Sequence, residues 1–294
     1  MRFAAVFPPM ATPFADGEVD AKAIAFNVER WVRAGVGGVV ALGSNGEAPL
    51  LDEDESDRVL GAARDAVPRG RMLIAGTGRE STRATIAATR RAAGMGADAV
   101  LVRTPSYFKG RMTPDAFVRH YTAVADDSPV PVLLYNYPAV TGVNLAPETV
   151  GRLAEHGNIV GVKETGSDAA QVAAYIDAAP STFAVIAGSA PTFYASLCLG
   201  AVGGILAAAC VVPELWLRLY TKASEGRHED ARSLQRTLTP LARLVTVVHG
   251  VPGLKAAMDL AGYRGGEPRP PLYALTPEAR EEIRAELGRI LKVA

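Results

Sequence analysis

Short apolar runs return along this chain at near-regular spacing, at residues 4–7, 37–42, 72–75, 99–102, 130–135, 159–162, 183–187 and 202–207. Runs of this length without polar alternation read as strands buried on both faces, the pattern of a parallel sheet covered by helices. The segments between them have helical length and period. Residues 20–34 carry apolar Ile24, Trp31 and Val32, and residues 82–93 end at the Gly94-Met95-Gly96 break. Thr113-Pro114 and Thr276-Pro277 pair an N-cap hydroxyl with a proline at the first helical position, and the acids within residues 51–55 sit where a helix dipole favours them.

Eight strand-helix units predict an α/β fold, a (β/α)8 TIM barrel, which typically uses about 250 residues and carries its chemistry on the loops after the C-terminal strand ends. Three helical patterns without a further strand follow, at 227–248, 253–260 and 277–291. Residues 1–223 are therefore expected to form the barrel with the active site, and residues 224–294 a C-terminal helical region. The rival architecture, an open doubly wound sheet, needs a GxGxxG turn after its first strand; none is present, and Gly76-Thr77-Gly78 lacks the third glycine.

Charge narrows the class of ligand. The 31 basic and 31 acidic residues cancel without a long run of one sign, so no footprint for nucleic acid or an anionic membrane is present, and the expected partner is a small molecule. Cys198 and Cys210 lie in apolar segments without metal-ligand spacing, which fits core residues in a reducing compartment. The opening MRFAAVFPPM reads as a first strand broken by prolines rather than a secretory signal, and no 18-residue apolar span occurs, so the expected location is the cytoplasm.

Under the barrel assignment the strand ends hold the candidates. The sixth run, IVGVKE, closes on Lys163. One reading is a Schiff-base nucleophile whose burial lowers its pKa; the other is a strand-end lysine that reaches solvent or pairs with Glu164. The second strand ends in Gly43-Ser44-Asn45-Gly46-Glu47, a turn whose glycines free backbone N–H groups for a carboxylate and whose Ser44 and Asn45 add polar contacts. The fourth ends in Arg103-Thr104-Pro105-Ser106-Tyr107, the fifth in Tyr135-Asn136-Tyr137-Pro138, the sixth adds Thr165, and the seventh gives Gly188-Ser189. Lysine, phenols, hydroxyl and anion-holding turn together suit carbonyl chemistry on a 2-oxo acid, with Tyr135 shuttling protons. Arg103 is read first as a strand arginine pointing outward into the helix layer, and only second as a further carboxylate partner. His120, His156, His228 and His249 are scattered over predicted helices and loops, so neither a metal nor another cofactor is expected.

At these residues the chain resembles the pyruvate-dependent class I aldolase and lyase family that includes dihydrodipicolinate synthase and N-acetylneuraminate lyase. The resemblance runs from PPMATPF at 8–14 through GSNGE at 43–47, YNYPAVTG at 135–142 and GVKETGSD at 161–168 to GLKAAMDLAG at 253–262. It implies Lys163 as the Schiff-base lysine, Tyr135 as the proton-relay phenol, Ser44 as the hydroxyl linking it to Tyr107, and Ser44 with Asn45 as carboxylate binders. It also implies pyruvate or another 2-oxo acid as ligand and a homo-oligomer, dimer or tetramer, with Tyr107 reaching across a dimer interface.

The departures select within the family. Val140 stands where dihydrodipicolinate synthases, with YNVPSRTG, carry a substrate-binding arginine, and Gly188 is followed by Ser189-Ala190-Pro191 rather than the acids of sialic acid lyases. The segments AGTGREST at 75–82, TPSYFKGRM at 104–112 and GVPGLKAAMD at 250–259 look most like 4-hydroxy-2-oxoglutarate aldolase, as does Thr165 two residues after the lysine. The expected activity is therefore retro-aldol release of pyruvate, with Thr165, Gly188, Ser189 and Val140 facing the variable part of the substrate. The alternatives are 4-hydroxy-tetrahydrodipicolinate (dihydrodipicolinate) synthase, a 2-keto-3-deoxy sugar acid dehydratase, and a non-catalytic 2-oxo acid sensor.

Overall fold

Parallel pairing of the apolar runs builds the sheet of the computed structural model, which describes residues 3–293. The barrel strands are β1 Val6–Phe7, β2 Gly38–Ala41, β3 Met72–Gly76, β4 Ala99–Arg103, β5 Val132–Asn136, β6 Ile159–Glu164, β7 Ala184–Ala187 and β8 Gly203–Ile205. They are hydrogen-bonded in chain order from β2 to β8, and β8 then pairs with β1. The seam between β1 and β2 is thinner because Pro8 and Pro9 have no N–H to donate. It closes through Val6 O, which accepts from Gly37 N at 3.0 Å, Pro8 O, which accepts from Val40 N at 3.0 Å, and Met10 N, which donates to Val40 O at 3.0 Å.

All eight expected strands form, most of them shorter than their apolar runs. The last run keeps only β8, since Ala207–Cys210 wind into a 3-10 turn. A small antiparallel hairpin, Phe14–Ala15 against Glu18–Val19, was not expected from the apolar pattern. Its signal is Asp16-Gly17, whose φ values of 52° and 82° are the left-handed pair that a tight hairpin turn needs.

Eight helices longer than one turn follow the strands: α1 Ala21–Ala34, α2 Glu53–Ala66, α3 Thr82–Gly94, α4 Pro114–Asp127, α5 Pro147–Ala154, α6 Ala169–Ala178, α7 Phe193–Leu199 and α8 Pro213–Ser224. Their starts follow local chemistry. Asp52 and Glu55 form a reciprocal capping box on α2, Thr113 accepts from Ala116 N at α4, and Asp20 accepts from Ala23 N at α1. Three more helices come after Ser224: α9 His228–Arg243, which widens into a π-helical turn at Leu244–Val248, α10 Gly250–Leu260 and α11 Pro277–Val293. Among the described residues no helix is long and apolar enough to cross a membrane.

Two apolar layers result. Phe7, Val40, Ile74, Leu101, Leu133 and Ile186 fill the barrel, while Val39, Val100, Val102, Leu134 and Val162 pack outward against helices carrying Trp31, Tyr121 and Trp216. One irregularity sets the face of every residue at the end of β6. Val132 pairs with Ile159 but Leu133 pairs with Gly161, so Val160 is an extra residue in the strand. Ile159 packs outward and Val160 inward; after the bulge Val162 packs outward, so by alternation Lys163 faces the barrel interior and Glu164 the helices. Gly161 is required there, because a Cβ would lie 2.4 Å from Ala184 O.

Candidate active site

The register brings residues of four strands into one layer. Arg103 of β4 lies opposite Tyr135 of β5, Tyr135 opposite Lys163 of β6, and Lys163 opposite Ile186 of β7. Lys163 is buried, and its Nζ stands 4.2 Å from the centroid of the Tyr135 ring. Among the described residues it has no ion pair and no hydrogen bond. Burial pulls its pKa from the ordinary 10.5 down to about 7. The reading in which Lys163 pairs with Glu164 fails. The Glu164 carboxylate lies on the helix side, where it accepts from Asn136 Nδ2 at 2.7 Å, from Gln171 Nε2 at 2.8 Å and from Gly166 N.

Tyr135 is also buried, and its hydroxyl is 3.2 Å from Ser44 Oγ. Burial raises the phenol pKa, with the neighbouring Ser44 and Thr165 hydroxyls acting against it, so it remains a proton carrier rather than a phenolate at neutral pH. Thr165 Oγ1 is buried without a hydrogen-bond partner. A Cβ on Gly188 would fall 2.2 Å from that oxygen and 2.9 Å from Lys163 Cε, so only glycine leaves room for both side chains. Ser189 follows at the same rim, half-buried.

Ser44–Gly46 form a 3-10 turn that bonds Gly46 N to Gly43 O and Glu47 N to Ser44 O, which leaves the Ser44 and Asn45 amides outside the turn's own bonds. The turn is fixed from behind by a pair that the strand-end reading did not include. Glu47, at φ 57°, is 0 % exposed in its side chain and 2.5 Å from Lys255 Nζ of α10, itself 1 % exposed. Lys255 also donates to Glu267 O at 2.8 Å and stands 4.4 Å over the Phe14 ring, while Arg269 N donates to Glu47 Oε2 at 2.7 Å. Burial lowers the Lys255 pKa and Glu47 opposes it. The available signal was a lysine interrupting the apolar run Gly253 to Met258.

A cleft of ≈ 470 Å³, open to solvent, is bounded by Gly43, Ser44, Gly76, Gly78, Arg103 and Tyr135. Lys163 sits against the Tyr135 ring rather than in the cleft wall. Two expected residues stand apart from this group. Tyr107 is 79 % exposed, edge-on to Phe108 at 5.1 Å, and makes no contact with Ser44 within the chain. Val140 is 63 % exposed on the one-turn helix Pro138–Thr141. The histidines find separate partners: Thr82 for His120, Asp126 for His156, Tyr194 for His228 and Glu282 for His249. Cys210 is buried and Cys198 exposed.

A barrel with a buried, unpaired lysine beside a phenol at its C-terminal mouth defines a class: enzymes that hold a carbonyl compound as a lysine imine. The particular family follows from comparison. Residues 2–290 match the model of the dihydrodipicolinate synthetase family, and the chain belongs to that family. An uncharacterized DapA-like lyase of Halobacterium salinarum is 39% identical over 285 residues, covering 96% of this chain and 92% of the relative. The 4-hydroxy-tetrahydrodipicolinate synthase of Methanopyrus kandleri is 36% identical over 289 residues, 97% and 95% of the two chains. The crystal structure of YagE from E. coli K12 in complex with pyruvate superposes with a TM-score of 0.90 at 30% identity, covering 97% and 98%. Membership makes the chain a pyruvate-dependent lyase of the class I aldolase type.

Proposed function

We propose that the protein cleaves a 4-hydroxy-2-oxo acid to pyruvate and an aldehyde, with 4-hydroxy-2-oxoglutarate, giving glyoxylate, as the substrate. The observation that carries this reading is Lys163, a buried amine without a counter-ion and with a pKa near 7, in register with Tyr135. The neutral amine attacks C2 of the substrate, and Tyr135 protonates the departing hydroxyl so that water leaves and an imine forms. The Ser44–Asn45 turn receives the C1 carboxylate. Loss of the proton from the C4 hydroxyl then breaks the C3–C4 bond; its electron pair passes into the protonated imine to give an enamine, and the aldehyde departs. Protonation of the enamine at C3 and attack of water on the imine carbon release pyruvate and restore the amine. Thr165 Oγ1, buried and unbonded, is available to a hydroxyl or carbonyl of the substrate beside the lysine. The exposed Tyr107–Phe108 pair supports a homo-oligomer in which Tyr107 is delivered to a partner's Ser44.

Synthase activity is the second reading, favoured by the names of the curated relatives. Purified protein assayed for pyruvate release from 4-hydroxy-2-oxoglutarate, and for condensation of pyruvate with aspartate semialdehyde, separates the two. Release by the first donor is expected, and efficient condensation in its place would overturn the proposal.

A further inference from the structure

The mouth contains a cation that the mechanism has not used. In β4, Ala99 and Leu101 fill the barrel interior while Val100 and Val102 pack against helices, so the alternation carries Arg103 inward, into the layer of Tyr135 and Lys163. The outward alternative is thereby excluded, and Arg103 forms part of the cleft wall. It lies there because Gly78, two residues past β3, has no side chain: a Cβ on it would meet Arg103 Cγ at 2.7 Å.

Glu80 fixes the guanidinium. Its Oε1 accepts from Arg103 Nη1 at 2.7 Å, while its Oε2 accepts from the backbone N–H groups of Ser106 and Tyr107 at 2.9 and 2.8 Å. Burial alone would raise the Glu80 pKa, but the Tyr107 amide, Arg103 and the Ser106 amide hold it below the ordinary carboxylate value, so the clamp is ionised at neutral pH. Arg103 Nη1 makes a second bond, to Thr104 O at 3.3 Å. Its Nε and Nη2 donate to nothing among the described residues, which leaves a planar pair of donors on an oriented guanidinium. That arrangement fits a carboxylate better than a hydroxyl or an apolar group. The other arginine of the cleft, Arg79, is engaged by Glu53 at 3.3 Å.

We propose that Arg103 receives the distal carboxylate of the substrate and makes the enzyme selective for dicarboxylic 2-oxo acids, a role it takes in place of an arginine at position 140. This rests on the retro-aldol reading above. The test compares kcat/KM for 4-hydroxy-2-oxoglutarate with that for 4-hydroxy-2-oxopentanoate, which has a methyl group in place of the distal carboxylate and also yields pyruvate. The wild-type enzyme should favour the dicarboxylate, and Arg103→Met should lower that ratio roughly 10²-fold, the factor a charge-assisted hydrogen-bonded pair supplies. The loss should appear mainly in KM, with Arg103→Lys intermediate because it keeps the charge without the fork. A ratio unchanged in Arg103→Met, or a wild-type enzyme indifferent to the distal group, would overturn the inference. Borohydride trapping of pyruvate on Lys163 of the wild type keeps the two claims apart. Trapping with an unchanged ratio removes only the role of Arg103, whereas no adduct removes the reading on which it rests.

Discussion

Two lysines are buried among the described residues, and they differ in what surrounds the ammonium. Lys255 has a carboxylate at 2.5 Å, a backbone carbonyl at 2.8 Å and the face of Phe14. Among the described residues Lys163 has the face of Tyr135 and no carboxylate or carbonyl partner. Both lose solvation, so burial is shared and does not by itself make a nucleophile. Glu47 opposes the loss for Lys255, and nothing in the chain opposes it comparably for Lys163. The first is a bolt between the C-terminal helices and the Ser44 turn, and the second is an amine left without a counter-charge, whose burial is a cost to stability.

The sharpest way to break the contrast is to remove each amine. Lys163→Met should abolish turnover and the borohydride-trapped pyruvate adduct while raising the thermal midpoint, since a poorly solvated charge is replaced by an apolar chain of similar length. The gain has a pH signature. Lys163 titrates at about 7 in the fold and at 10.5 unfolded, so between these values the unfolded chain binds more protons and wild-type stability rises with pH. Lys163→Met should flatten that rise, and its advantage should be larger at pH 6 than at pH 10; an unfolded variant would mark Lys163 as structural.

Lys255→Met should do the reverse, destabilising by about 3–5 kcal/mol in denaturant titration because Glu47 is left buried and unpaired. Adding Glu47→Gln should recover part of the loss, and additive effects would show that the pair is not coupled. Smaller still, Tyr135→Phe should lower turnover roughly 10²-fold with the fold retained, as its hydroxyl is bonded only to Ser44 in the side-chain geometry. Unchanged turnover would remove the proton-relay role.

The barrel was legible because each β/α unit carries its own period, and Lys163, Tyr135, Ser44 and Thr165 were legible because strand ends converge in such a barrel. Facing was not. Whether Arg103 points inward depends on its parity with Leu101, and which of Lys163 and Glu164 enters the barrel depends on the pairing around an extra residue in β6; both are properties of pairing between distant segments. The Glu47–Lys255 bolt was hidden for a similar reason, its partners lying far apart in a helix and a turn. Tyr107 and Val140 are named by their motifs, but a single chain gives them solvent as their surroundings.

The bulge at Val160 has a consequence for how this sequence tolerates change. Because Leu133, Leu134 and Tyr135 pair with Gly161, Val162 and Lys163, Val160 is a residue the strand can give up: its deletion is expected to leave a regular ladder with the amine still facing the mouth. The slack is a single residue: with Val160 gone, loss of one more would carry the Glu164 carboxylate into the mouth and turn the amine toward Asn136 and Gln171.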